Sequence, residues 1–218
     1  MRDRKLIWFI MILFVGLVTA CQKEIIDTEI YEILEETVEI EDSLQEIREE
    51  MANLEEEENE LYKQLIDQPL NDLDLLAEYV EKAEKLIDQR EKLLEKEHSA
   101  MTNSKEQFIQ IEPLIDQIEK ETAQKSAKDM YEIMLVRYDI YEEWYDAYVH
   151  RLSEEANLYA LFLENKIDFE QVNEQVEVVN TTYDEAKIIL NNFSEQTTTY
   201  NQAKIDYYEK SELNIAID

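Results

Sequence analysis

The sequence predicts an all-α fold, an elongated antiparallel bundle of about four long coiled-coil-like helices, and three features carry that expectation. Gly16 is the only glycine, and Pro69 and Pro113 are the only prolines, in 218 residues. Beyond position 16 the chain therefore lacks the residue that tight β-turns and phosphate-cradling loops use for positive φ. Apolar residues recur at alternating steps of three and four over long stretches, the helical period. The hydrophobic fraction is 44% despite 53 acidic residues against 21 basic ones and a formal net charge of -32, which is an ordinary apolar content for a folded chain and argues against disorder.

Residues 1–20 read as a lipoprotein signal peptide. Arg2, Arg4 and Lys5 make a basic start, Leu6 to Val18 an apolar stretch, and "LVTAC" ends it at Cys21. The stretch is short for a bilayer span, so a transmembrane anchor is the weaker reading. A plain signal peptide with an incidental cysteine is the other alternative to lipid attachment at Cys21. Two or three acyl chains there, palmitate among them, anchor stably where one chain holds marginally. Residues 21–23 are then lipid attachment and linker, 24–212 the helical bundle and 213–218 a C-terminal tail. Cys21 is the only cysteine, so an intramolecular disulfide is excluded. Loss of residues 1–20 removes three bases and one acid and leaves the mature chain at -34, a charge that disfavours nucleic acid and anionic lipid as direct partners.

The first helix is expected over residues 24–67, with a seam of Ile30, Ile33, Thr37, Ile40, Leu44, Ile47, Met51, Leu54, Glu58, Leu61 and Leu65. It stops at "DQPLND", where Pro69 removes an amide donor, Asn71 caps the next helix, and Leu70 and Leu75 form a staple. The second seam runs from Leu73 through Leu76, Val80, Ala83, Ile87, Arg90, Leu94, Glu97, Met101, Ser104, Phe108, Ile111 and Ile115 to Ile118. Its register passes Pro113, which predicts a kink rather than a stop, and a turn follows near Glu119 to Gln124. The third helix, 125–164, carries Tyr131, Met134, Tyr138, Tyr141, Tyr145, Tyr148, Leu152, Glu155, Tyr159 and Phe162. A second stripe, Ile133, Val136, Ile140, Trp144 and Ala147, lies beside it. Asp168 and Gln171 make a capping box with Ile167 and Val172 as a staple. The fourth seam runs Phe169, Val172, Val176, Val179, Tyr183, Ala186, Leu190, Phe193, Thr197, Tyr200, Lys204 and Tyr207, ending near Ser211. Short connections make successive helices antiparallel. Residues 24–67 hold eighteen acids and two bases, whereas 72–118 supply six bases, so the first helix pairs with the second and a monomer is favoured over self-pairing.

"LVTAC", "IYEILEETVEIE", "NELYKQLID", "KLIDQREKLLEKE" and "RYDIYEEWYDAY" together resemble the YkyA-type cell-wall-binding lipoproteins of Gram-positive bacteria, over about residues 17–212. The resemblance implies a helical protein of the cell envelope, lipid-anchored on the outer face of the cytoplasmic membrane, with no catalytic or ligand residue to carry over.

The residues themselves point away from catalysis. Two histidines, His98 and His150, stand without metal-ligand spacing, and each reads as a surface or seam-edge residue. "NDLDLL" lacks the glycine and the twelfth-position glutamate of a calcium loop. The run Glu55 to Glu58 reads as a solvated face with Glu58 as a polar seam position that sets register, rather than a metal site. No metal or cofactor is expected. "YDIYEEWYDAY", residues 138–148, is either core or an open groove for stacking on a glycan or a partner helix. Tyr138, Tyr141, Trp144, Tyr145 and Tyr148 are the candidate binding face. The expected function is non-enzymatic: contact with peptidoglycan or an envelope protein through a helix face, or an adaptor or spacer for a membrane machine without glycan affinity. At -34 the chain is repelled by wall phosphates and carboxylates at close range, so wall contact has to use neutral stacking, hydrogen bonds or bridging divalent cations.

Overall fold

The computed structural model describes residues 26–69, 72–164, 166–211 and 213. Helix α1 spans 26–42, α2 Leu44–Ile66, α3 Leu73–Phe108, α4 Glu112–Ile115, α5 Glu121–Ala160 and α6 Phe169–Lys210, with 3-10 turns at Ile109–Ile111 and Leu161–Leu163. No strand occurs among the described residues. The expected signal peptide, residues 1–20, together with Cys21, Leu70, Asn71 and most of the C-terminal tail, lies outside them. No helix among the described residues is long and apolar enough to cross a membrane.

Four seams of helix are present, and the chain departs from them at places with local causes. The first helix is broken at Ser43, whose hydroxyl donates back to the Ile40 carbonyl at 2.7 Å and so competes with the helical ladder. Pro113 has no N–H to return to Ile109; the Glu112 amide takes that carbonyl instead, closing the 3-10 turn Ile109–Ile111 before α4 resumes with the proline in its first turn,. The seam survives the change: Phe108, Ile111, Ile115 and Ile118 are all buried. The turn comes earlier than expected, and α5 starts at Glu121. The Gln124 side chain reaches back to the carbonyl of Ile115 at 3.2 Å, which also accepts from the Ile118 amide, and an acid in the first turn suits the helix dipole,. Asp72 caps α3, accepting from the Leu75 amide at 3.2 Å. Asp168 caps α6 by accepting from the Glu170 amide at 2.9 Å.

The chain divides into two compact units. One comprises the described residues up to Glu39, Lys105–Val136 and the described residues from Gln196 onward. Its core is aromatic: Phe108 stacks on Tyr131 with centroids 5.6 Å apart and meets Tyr200 edge-on. The buried hydroxyl of Tyr207 donates to Asp27 at 3.0 Å, and Tyr208 packs against Tyr31. Asp27 and Glu35 of α1 face Tyr207 and Lys204 of α6, so those helices run antiparallel there.

The other unit comprises Ile40–Ser104 and Arg137–Glu195. Arg48 with Glu97 and Arg90 with Glu58 place α2 antiparallel to α3. Arg90 with Glu155 and His98 with Glu142 place α3 antiparallel to α5. Glu154 with Gln175 and Tyr141 with Phe193 do the same for α5 and α6. Glu41 meets Arg137 and Glu55 meets Arg151; the two pairs sit fourteen residues apart on both helices, the mark of parallel strands of heptad in fixed register.

Candidate functional site

Along α3 the heptad row Leu76, Ala83, Arg90, Glu97, Ser104 is buried throughout, and its last three members are polar yet wholly inaccessible. Each is met by a partner. Arg90 lies between Glu58 of α2 and Glu155 of α5, the latter at 2.5 Å. Glu97 Oε1 accepts from Arg48 Nε at 2.7 Å. Ser104 shares its hydroxyl with Glu41 and Tyr138, both at 2.7 Å. Three polar layers therefore cross this unit one heptad apart. They fix which turn faces which, because a slip of one turn would strand buried charges.

The first layer is crowded. Glu155 is also held by Arg151 Nε at 2.7 Å, while Glu58 shares Arg90 and accepts from the Tyr159 hydroxyl. Burial, reinforced by repulsion from Glu155 and opposed by Arg90 and Arg151, pushes the Glu58 carboxyl up to about 7. A two-carboxylate site with one shared guanidinium behaves as a coupled pair.

Beside the second layer lies a cleft of about 380 Å³. Its origin is legible in two rows. On α6 the row Val172, Val179, Ala186, Phe193, Tyr200, Tyr207 has its smallest member at Ala186, and Ala52 on α2 is equally small. Both line the cleft. Tyr141, Trp144 and Tyr148 of α5 form one wall, and Tyr183, Leu190 and Phe193 of α6 another. Arg48, Glu55, Glu97, Arg151 and Lys187 add charge, most of it already matched. Arg48 is on Glu97, and Glu55 Oε1 accepts from Arg151 at 3.0 Å and Tyr148 at 2.6 Å. Two buried atoms in this lining have no hydrogen-bond partner among the described residues, Glu97 Oε2 and Tyr141 Oη. Burial raises the Glu97 carboxyl against the pull of Arg48. Burial likewise raises the Tyr141 phenol, with Glu97 adding to it, so that hydroxyl keeps its proton.

The proposed aromatic face is thus divided. Tyr141, Trp144 and Tyr148 are more than nine-tenths buried, yet their remaining surface lines the cleft. Tyr138 belongs to the Ser104 layer. Tyr145 is packed on His98, rings 4.0 Å apart and 23° from parallel. His98 in turn lies 2.9 Å from Glu142, while His150 is exposed. The second stripe of α5 is not the one expected: Val136 is 48% exposed. The buried row is Ala123, Met130, Arg137, Trp144, Arg151, Leu158, in which two arginines replace apolar residues. Arg137 sits over Phe193 at 4.5 Å and Arg151 over Tyr183 at 4.8 Å, so cation–π contact helps offset their burial. The run Glu55 to Glu58 is not simply a solvated face either, since Glu55 and Glu58 point into these networks.

Residues 26–210 match the YkyA family, described as "Putative cell-wall binding lipoprotein". The chain belongs to the YkyA family. It is 25% identical over 193 residues to the uncharacterized lipoprotein YkyA of Bacillus subtilis (strain 168), covering 88% of this chain and 86% of that one. The fold is similar to that of a conserved protein of unknown function from Staphylococcus aureus, known from a crystal structure, with a TM-score of 0.71 and 19% identity over 84% of this chain and 93% of the other. At that identity the likeness speaks for the helical fold alone.

Proposed function

We propose that this protein is a non-enzymatic component of the cell envelope. It is held by lipid at Cys21 on the outer face of the cytoplasmic membrane and binds the wall through the cleft around Trp144. The observation that carries this reading is an aromatic-walled cleft of ligand size, built on rigid helices, with its charges largely matched internally,. A -32 chain gains nothing from the anionic wall by charge, and this cleft supplies the alternative, rings and hydrogen-bonding groups. Family membership supports the same reading. His98, engaged with Glu142 and Tyr145, is a packing residue in it, not a base. The test is co-sedimentation of the purified protein with isolated sacculi, with and without EDTA. Retention in both conditions is expected; absence from the pellet in both defeats the wall contact, and retention abolished by EDTA assigns it to bridging cations instead of the cleft.

A second reading, an adaptor for a membrane machine, is favoured by the apolar residues that α6 leaves exposed, Phe169 and Ile188 above all,. In-cell crosslinking from Ile188 that recovers one envelope protein, with no wall fragment from the cleft, would favour it.

A further inference from the structure

We infer that the cleft beside Trp144 is a subsite for an uncharged pyranoside ring, with Glu97 Oε2 accepting from a ring hydroxyl and Tyr141 Oη bonding a neighbouring one. This names the ligand class for the wall-binding reading above and rests on it. Five observations carry it.

The two polar atoms are buried, unpartnered among the described residues and set in the lining of one cleft. A buried carboxylate oxygen and phenol without partners are costly to leave so, and a ligand offering hydroxyl donors satisfies both at once. Glu97 Oε1 is held by Arg48, which restrains the carboxylate and leaves the second oxygen without a protein partner. The walls are apolar and aromatic, as the C–H faces of a sugar ring require. The charges of the lining are matched to one another, Arg48 on Glu97 and Arg151 on Glu55, which leaves Lys187 as the remaining charged group. A neutral ring bearing hydroxyls needs no counter-charge in such a site. The volume of about 380 Å³ lies at the small end of the range for ligand clefts, about 300–1,000 Å³, which suits a sugar unit at the end or edge of a chain rather than a long polymer.

The test uses the chain from Cys21 onward in detergent, which lacks Trp8, so that Trp144 is the sole tryptophan and its fluorescence reports on the cleft. The probes are the β-1,4 disaccharides of N-acetylglucosamine and of glucose, with glucuronate, inorganic phosphate and choline as charged counterparts. A saturable change in Trp144 emission with at least one disaccharide, and none with the charged probes, is expected. Two variants locate it. Ala52→Trp adds bulk from an exposed helix position and leaves the core intact; for this arm binding is read by calorimetry, and a loss of about tenfold or more is expected. Glu97→Gln removes the charge-assisted acceptor and is expected to weaken binding about tenfold; should it fail to fold, Ala52→Trp still decides. Sacculus retention unchanged in Ala52→Trp, with no response to either disaccharide, overturns the subsite while leaving wall binding standing. A disaccharide response without sacculus retention supports the subsite and overturns the wall reading. A response to choline or phosphate alone overturns the pyranoside assignment.

Discussion

Arg90 is the side chain on which the buried chemistry turns. It is fully inaccessible and shared between Glu58 and Glu155. Replacing it with methionine leaves two carboxylates in the core with one guanidinium, Arg151, between them and solvent. A loss of about 3–5 kcal/mol is expected for breaking such a site by removing one partner, measurable by urea denaturation. Glu58 has the opposite character. Its carboxyl is pushed up to about 7 by burial and by Glu155, against Arg90 and Arg151 and a hydrogen bond from Tyr159. The folded protein therefore binds the proton more tightly than the unfolded chain. Stability from this group is present in full below the unfolded carboxylate range and is lost as pH rises through 7. Urea midpoints should fall between about pH 5 and about pH 8, and Glu58→Gln should flatten that slope; an unchanged slope removes Glu58 as its source. At this scale the sequence was partly readable. Arg90, Glu97, Ser104, Glu58 and Glu155 all stood on seam positions, where a polar residue signals a buried partner. Arg137 and Arg151 did not show, because a heptad row is recognised by apolar residues and these two interrupt it on either side of Trp144.

Among the elements, α3 and α6 show what helical periodicity reveals and what it hides. Every seam residue of α3 after Leu73 is buried, since this helix meets both α2 and α5 and needs both heptad positions. On α6 the deeply covered residues fall mainly in one row, Val172, Ala186, Phe193, Tyr200 and Tyr207, with Thr182 and Tyr208 beside it. Tyr183 and Leu190 are 42% and 43% exposed, because they turn toward the open side of the cleft. Apolarity alone does not separate a residue waiting for a ligand from one packed in a core, so α6 read as an ordinary seam. The passage of the seam across Pro113 was readable from register; the 3-10 turn there was not. The Ser43 break was not, because one serine in a helical run is a weak signal until its bond to Ile40 is seen. Asp168 offers a direct check on the cap: Asp168→Ala should cost about 1 kcal/mol by thermal denaturation, since it frees the Glu170 amide at the start of α6. A cost near zero would mean that the start of α6 is held by other contacts.

For the molecule as a whole, the net charge of -32 sets a baseline against which every contact works. Self-repulsion weakens as ionic strength rises from about 0.01 to about 0.15 M and the Debye length shrinks from about 30 to about 8 Å, so Tm should rise over that interval. Sacculus retention should rise or stay level over the same range; a steep fall with salt would reveal an attraction between charges that this chain does not provide. The all-helical class and the four long seams were legible from the lack of glycine and the length of the seams; the division into two compact units was not. The cleft was not, since it arises from Ala52 and Ala186 falling at the level of Trp144 on different helices, a coincidence of register that no single stretch of sequence displays.

The measurement that bears most directly on wall binding at the cleft is site-specific photo-crosslinking to sacculi, with the photoreactive residue placed at Tyr183 on the rim of the cleft or at Ile66, exposed at the end of α2. Wall adducts from Tyr183 and none from Ile66 are predicted; equal yields, or adducts from Ile66 alone, would contradict the assignment of binding to the cleft.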